Sequence, residues 1–203
     1  VLAAIAVGTA EQTRAVVDAG ALPILIQLLG CSDEKLRLDV IRTLGSIAFE
    51  GGEQCALATR HGLVPALLLC ATSQPSTQMV QQVARFAANI AMHCDCVESL
   101  KPALSWLANA TMSCDTDVLV DGCLALRGMA AHCSSCAQAV LDTGVGPRLL
   151  QLLSHALSSI RNTAADAVKS ICTHAECAQV MVWLEAVCPL KRLLTDPGPD
   201  SRQ

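Results

Sequence analysis

The sequence predicts an all-α protein in which one helical unit of about 42 residues recurs along the chain. Three observations support this prediction. Hydrophobic residues make up 52% of the chain, and among them Ala and Leu, both strong helix formers, are abundant. Proline recurs at similar points, each time just before an apolar run. A second set of short apolar motifs recurs in phase with the prolines, which indicates an internal repeat.

The recurring prolines mark the junction between two helices of each unit. Pro23 follows Gly20 in the first clear example, GALP. Glycine readily adopts the left-handed conformation that ends a helix, and proline is tolerated in the first turn of the next one. Each junction therefore predicts a helix end followed by a helix start. The five junctions are GALP at Pro23, GLVP at Pro65, SLKP at Pro102, GVGP at Pro147 and AVCP at Pro189.

The apolar markers give the period of the repeat. They lie in similar motifs, such as LGSIA at 44–48 and AANIA at 87–91. Their successive separations are 42, 43, 39 and 42 residues. Two independent marker sets with one spacing predict one repeated structural unit. The markers are Ile5, Ile47, Ile90, Met129 and Ile171.

Each unit is predicted to contain three helices. A short helix, EQTRAVVDA, ends near Gly20; a second begins near Pro23; and a longer third helix, LRLDVIRTLGSIAFE, follows the polar turn GCSDEK. This pattern is typical of armadillo repeats, whereas HEAT repeats have two helices and lack the Gly-x-x-Pro step. We expect a right-handed superhelical solenoid whose third helices line its concave face. About five repeats, incomplete at both ends, would occupy residues 1–196, and a polar tail would occupy 197–203.

Composition and motifs argue against several functions. The net charge is −4 with both signs scattered, whereas nucleic-acid binders usually carry a basic face. No apolar run approaches the roughly 20 residues that a membrane span needs. No Gly-x-Ser-x-Gly motif, phosphate loop or set of paired catalytic carboxylates occurs in the sequence. We therefore expect no catalysis, no cofactor, no nucleic-acid partner and no membrane span.

The twelve cysteines are interpreted as small core residues. Disulfide scaffolds are usually short and poor in core residues, whereas this chain is rich in them. Cysteines lie within apolar segments such as LLLCA, DGCLAL and KSICT, where a thiol packs as a small hydrophobe. This pattern favours a reducing compartment, the cytosol or the nucleus.

Histidine and cysteine together raise the question of zinc. His93, His132 and His174 occupy equivalent positions in successive repeats, each near a cysteine. Equivalent points on packed helices lie about 8–10 Å apart, too far for ligands that bind zinc at about 2 Å. No single loop offers four ligands, and the CSSC motif at 133–136 lacks the βαβ context of a redox protein. We therefore predict no metal or redox site.

Several segments resemble the importin alpha family, the adaptors that bind nuclear localisation signals. They are GTAEQTRAVVDAGALP at 8–23, SCDTDVLVDGCLAL at 113–126 and PRLLQLLSH at 147–155. The resemblance implies a cytoplasmic and nuclear protein that holds a cargo protein, or an extended peptide, in the concave groove. It implies an import carrier as a partner only if a basic segment exists outside this chain.

In that family the third helices carry Trp-x-x-x-Asn, in which tryptophans sandwich lysine stems and asparagines bind the peptide backbone. At the matching positions this sequence retains only Asn89 and none of the tryptophans. Its two tryptophans, Trp106 and Trp183, lie in apolar stretches and are expected in the core. The matching pairs are Arg42/Ser46, Arg85/Asn89, Leu124/Gly128 and Asp166/Ser170.

A second family feature is a lysine pocket. The resemblance assigns it to Gly8, Thr13 and Glu50, whose oxygens suit an ammonium group with three donors. It also assigns an acidic groove position to Asp121. The alternatives are a helix stop and an N-terminal polar turn for Gly8 and Thr13, and a solvated side chain for Glu50. Asn89 could likewise be an ordinary surface residue.

A second function stays open beside signal binding. Arg42 and Arg85 replace tryptophans in adjacent repeats and would stand on neighbouring third helices. Two such arginines would repel a basic signal and suit an acidic ligand. The alternative to an importin-alpha-like adaptor is therefore a general armadillo scaffold for protein–protein interaction that binds acidic segments.

Overall fold

The structure, a computed structural model, describes residues 10–50, 52–73, 75–92 and 94–184. Within these ranges the chain consists of helices joined by short turns, and no strand occurs. The all-α prediction is confirmed. The helices are α1 (Ala10–Asp18), α2 (Ala21–Leu28), α3 (Glu34–Glu50), α4 (Gly52–Arg60), α5 (Leu63–Thr72), α6 (Thr77–Ala91), α7 (Leu104–Ala110), α8 (Thr116–His132), α9 (Ser134–Asp142), α10 (Gly146–Leu152), α11 (Ser158–Cys172) and α12 (Ala175–Trp183), with a 3₁₀ helix, Cys94–Ala103, between α6 and α7.

The helices follow the predicted unit of three. The first helices are α1, α4, the 3₁₀ helix, α9 and α12, and the second helices are α2, α5, α7 and α10. The third helices are α3, α6, α8 and α11, and each packs against the next in chain order. The proposed ends of the array and the tail at 197–203 lie outside the described residues.

In the described part of the chain, glycine ends the first helix wherever the predicted junction forms, and the junction at Pro189 lies outside that part. Gly20, Gly62 and Gly144 have φ values of 74°, 86° and 77°, a conformation that side chains disfavour. The third unit has Ser99 at the equivalent position. There the 3₁₀ helix runs through Pro102 to Ala103, and α7 begins at Leu104. The break predicted just before Pro102 is therefore wrong, because the sequence lacks the glycine that would make it.

The repeat markers form the centre of the core. Ile47, Ile90, Met129 and Ile171 lie on successive third helices and are all 0% exposed. Since neighbouring third helices pack side by side, one buried residue per repeat produces a continuous core along the array. The marker role of these four residues is confirmed, whereas Ile5 lies outside the described residues.

Among the cysteines whose side chains the structure describes, Cys70, Cys123 and Cys172 are free thiols. Cys70 and Cys123 are buried, and burial raises the pKa of the Cys123 thiol to about 12. Both act as small core residues, as predicted. Cys172, from the KSICT segment, is only partly buried.

The two tryptophans differ in burial. Trp106 is partly buried and packs against the core. Trp183 is 80% exposed, so its predicted core position is wrong. Helix α12 buries Cys177 and Met181, which share one face at a spacing of four residues. Trp183 lies two residues beyond Met181 and therefore projects from a different face.

In the described part of the chain, no single helix is long and apolar enough to cross a membrane. Helices α4 and α5 together meet that length and composition, but a 73° bend separates them. Both bury side chains in the core, among them Cys55 and Leu67, as expected for helices of a packed array.

Candidate functional site

The four residue pairs predicted to face the groove lie on the third helices. Each pair is four residues apart, so its two members share one helix face. Because α3, α6, α8 and α11 pack in order, the pairs form two rows across successive repeats, which we call the third-helix surface. The rows are Arg42, Arg85, Leu124 and Asp166, and Ser46, Asn89, Gly128 and Ser170.

The pair on α3 is largely engaged by its own helix. Arg42 Nη1 lies 3.6 Å from Asp39 Oδ1, and both side chains are about half exposed, at 46% and 49%. The Ser46 hydroxyl donates a hydrogen bond of 3.2 Å to the Arg42 carbonyl. Such a bond commits the serine donor to the backbone, so Ser46 is a weaker substitute for asparagine than the sequence alone indicates.

The pair on α6 is tied to the next repeat. Arg85 Nε lies 3.7 Å from Asp121 Oδ2 on α8, an ion pair too long for a good hydrogen bond. The Arg85 side chain is 58% exposed, whereas that of Asp121 is 13% exposed. Burial raises the pKa of the Asp121 carboxyl, and the Arg85 guanidinium partly opposes that rise. Asp121 is therefore a largely buried partner of Arg85, and its role as an acidic groove position stays a prediction.

Asp121 gives a prediction with a pH dependence. The pKa of Asp121 is raised in the folded state, so the ionised carboxylate lowers the free energy of unfolding at neutral pH. This loss disappears below the unfolded pKa near 3.8, where the carboxyl is protonated in both states. We expect Asp121→Asn to raise the free energy of unfolding at pH 7, with the gain shrinking as the pH falls toward 4. Arg85→Met should lower the free energy of unfolding by about 1 kcal/mol at pH 7, because the Asp121 carboxylate loses its guanidinium partner. Denaturant unfolding at several pH values measures both effects. A gain for Asp121→Asn that grows on acidification would contradict the prediction.

Gly128 cannot be replaced by the family's asparagine without movement of a helix. A Cβ at this position would overlap the Ala91 carbonyl oxygen and lie 2.8 Å from Ala91 Cβ. The glycine therefore lets α8 approach the end of α6 closely. Of the second row, only Asn89 carries an amide, and it is half-buried on α6.

Two exposed apolar side chains border the third-helix surface. Phe49 and Met92 are 68% and 65% exposed and lie three residues after Ser46 and Asn89. Neither residue was predicted from the sequence. The sequence does hold a signal for them, because an apolar residue outside the core pattern recurs at the same position of two successive repeats. Met92 also lines a cleft of about 350 Å³. The remaining lining residues are Ala91, Val97, Arg127, Gly128, Ala131, His132 and Ser170.

The predicted lysine pocket stays a prediction. Gly8 lies outside the described residues. Thr13 and Glu50 lie in α1 and α3, but their side chains are outside the described part of the structure.

The histidine and cysteine motifs separate into two kinds of environment. His174 Nε2 lies 3.0 Å from the Ala130 carbonyl oxygen, a structural bond between repeats. His93 lies outside the described residues. Cys133 and Cys136, however, lie with Glu98 so that their ligand-type atoms are all within 4.8 Å of one another. Side chains of two consecutive repeats therefore come together here, and the expectation of no metal site stays a prediction.

Known proteins share this repeat pattern. The profile of the armadillo/beta-catenin-like repeat matches residues 9–49, the segment that contains α1, α2 and all of α3 except its last residue. Importin subunit alpha-1b of Oryza sativa subsp. japonica is 31% identical over 195 residues, which are 95% of this chain and 36% of the relative. Importin subunit alpha-3 of Arabidopsis thaliana is 30% identical over 187 residues, or 91% of this chain and 35% of the relative. The chain is an armadillo-repeat array whose sequence is similar to that of importin alpha subunits. It spans about a third of the length of these relatives.

Solved structures confirm the solenoid fold of the armadillo array. An engineered protein, target OR329, has a TM-score of 0.90 at 28% identity and covers 97% of this chain and 81% of its own. A designed armadillo repeat protein solved with the peptide (KR)4 has a TM-score of 0.90 at 23% identity, over 98% of this chain and 84% of its own. At that identity the second likeness supports the fold alone.

Proposed function

We propose that this armadillo array is a non-catalytic adaptor that binds an extended segment of another protein along the third-helix surface. The observation that carries the proposal is the ordered packing of α3, α6, α8 and α11, which repeats a pair of surface positions once per unit. Stacked repeats create extended binding surfaces of this kind. A peptide lying across the helices would meet one pair of positions in each repeat.

The exposed arginines favour an acidic segment. Arg42 and Arg85 stand on adjacent third helices, and each guanidinium lies near one carboxylate of the chain, at 3.6 and 3.7 Å. A guanidinium has five N–H donors in a planar fork, so donors remain for a carboxylate of the ligand. Asp121 contacts Arg85 from the buried side, so the outer edge of the Arg85 guanidinium faces solvent. The proposed ligand is therefore an extended segment with acidic side chains spaced to meet two repeats.

A basic import signal is the second candidate. Two observations favour it: the relatives are importin alpha subunits, and Phe49 and Met92 offer exposed apolar surface beside the groove. Such surface suits the aliphatic stems of lysines. Under this candidate Gly8, Thr13 and Glu50 would hold one ammonium group, and the protein would act in the cytoplasm and nucleus. An import carrier would take part only if the full-length protein supplies a basic segment outside this chain.

Peptide titration separates the two candidates. Two fluorescent peptides of equal length, one rich in glutamate and one rich in lysine, are titrated with the chain at low and high salt. We expect the acidic peptide to bind more tightly and to weaken as salt rises, since surface charge pairs are screened. Tighter binding of the lysine-rich peptide would replace the acidic proposal with the import-signal candidate. Binding of neither peptide would contradict the adaptor proposal.

A further inference from the structure

A group of ligand-type side chains lies away from the third-helix rows. Glu98 lies in the 3₁₀ helix, and Cys133 and Cys136 lie at the start of α9. One carboxylate oxygen and the two sulfur atoms all lie within 4.8 Å of one another. The 3₁₀ helix and α9 belong to consecutive repeats and pack against each other. We propose that Glu98, Cys133 and Cys136 bind a zinc ion that links these two repeats.

The distances suit zinc after a small contraction. Zinc binds thiolate sulfur at about 2.3 Å and carboxylate oxygen at about 2.0–2.2 Å, so ligand atoms around one ion lie about 3–4 Å apart. Atoms separated by the full 4.8 Å would need to approach by roughly 1–2 Å. Cys133 is partly exposed and gives the ion access, whereas Cys136 is buried beneath it. Three protein ligands leave the fourth position to water.

The surroundings of the two thiols differ. Cys133 Sγ lies 3.2 Å from Ser135 Oγ at the start of α9, whereas Cys136 is buried. Zinc binds cysteine as the thiolate, so binding would release the thiol protons to solvent.

Lys101 completes the charge balance. Its ammonium lies 3.2 Å from Glu98 Oε1. Glu98 still has a second oxygen for the metal, because a carboxylate has two. A zinc ion with two thiolates and one carboxylate carries one net negative charge, and the neighbouring ammonium compensates it.

Cobalt is a direct spectroscopic probe of the site. The whole chain, kept reduced with a phosphine, is titrated with Co²⁺ and then with Zn²⁺. We expect one equivalent of Co²⁺ to give a thiolate-to-cobalt charge-transfer band in the near ultraviolet, which Zn²⁺ then removes. Cys133→Ser and Glu98→Gln should each weaken Co²⁺ binding at least tenfold. Serine at position 133 is a favourable helix N-cap, so α9 should keep its fold, and circular dichroism checks this.

The matched control is Cys114→Ser, which removes an exposed thiol from another loop. It should bind Co²⁺ as the unmodified chain does. The proposal is overturned if the unmodified chain gives no thiolate–cobalt band. It is equally overturned if folded Cys133→Ser keeps the band at unchanged affinity, because the thiolate would then come from elsewhere.

Discussion

Gly128→Asn should lower the free energy of unfolding by about 3 kcal/mol or more. The new Cβ would overlap the Ala91 carbonyl oxygen and press against Ala91 Cβ at 2.8 Å. Backbone atoms cannot yield as a flexible side chain can, so α6 and α8 would have to separate along their interface. Equilibrium unfolding in denaturant, followed by circular dichroism, measures the loss.

Ser170→Asn is the matched control, because Ser170 occupies the same row on α11 and is only half-buried. It should change the free energy of unfolding by no more than about 1 kcal/mol. An equal loss in both variants would show that the close approach of α6 to Gly128 is not the cause. A stable Gly128→Asn variant would show that the two helices separate at little cost.

Arg42→Glu combined with Arg85→Glu should weaken binding of an acidic peptide by about 100-fold or more. Each substitution removes a charge-assisted contact of about 1.5 kcal/mol or more and adds repulsion. Two such losses amount to at least about 3 kcal/mol, and each 1.4 kcal/mol is tenfold in affinity. Titration with the glutamate-rich peptide at low salt measures the change.

The matched control is Arg14→Glu combined with Arg60→Glu. These exposed arginines lie on first helices, α1 and α4, and the change in net charge is the same. Binding should weaken less than about threefold, through long-range charge alone. If the control loses as much affinity as the groove variant, net charge controls binding and the arginine contacts do not.

Much of the fold could be predicted because its signals are local and repeated. Gly20 and Pro23 set a helix end and a helix start within four residues, and the same pattern returns one period later at Gly62. Ile47 and Ile90 mark the core by spacing alone. At Ser99 the glycine of this pattern is missing, and there the predicted helix break before Pro102 was wrong.

The candidate site was less predictable because its properties arise between repeats. The sequence shows an acid at Asp121, but only packing reveals that it is buried against Arg85. The sequence shows that Gly128 lacks the family's amide, but only the approach of Ala91 explains why a glycine fits there. Glu98 joins two cysteines of the next repeat through a tertiary contact that no spacing rule supplied.

Photo-crosslinking tests most directly whether the third-helix surface binds an extended segment. A glutamate-rich peptide with a single benzophenone group is irradiated in complex with the chain, and mass spectrometry locates the attachment. We predict attachment on α3, α6 or α8, near Phe49 or Met92, with loss of the product in the Arg42→Glu and Arg85→Glu double variant. Attachment confined to first helices such as α4 or α9, unchanged in that variant, would contradict the proposed binding surface.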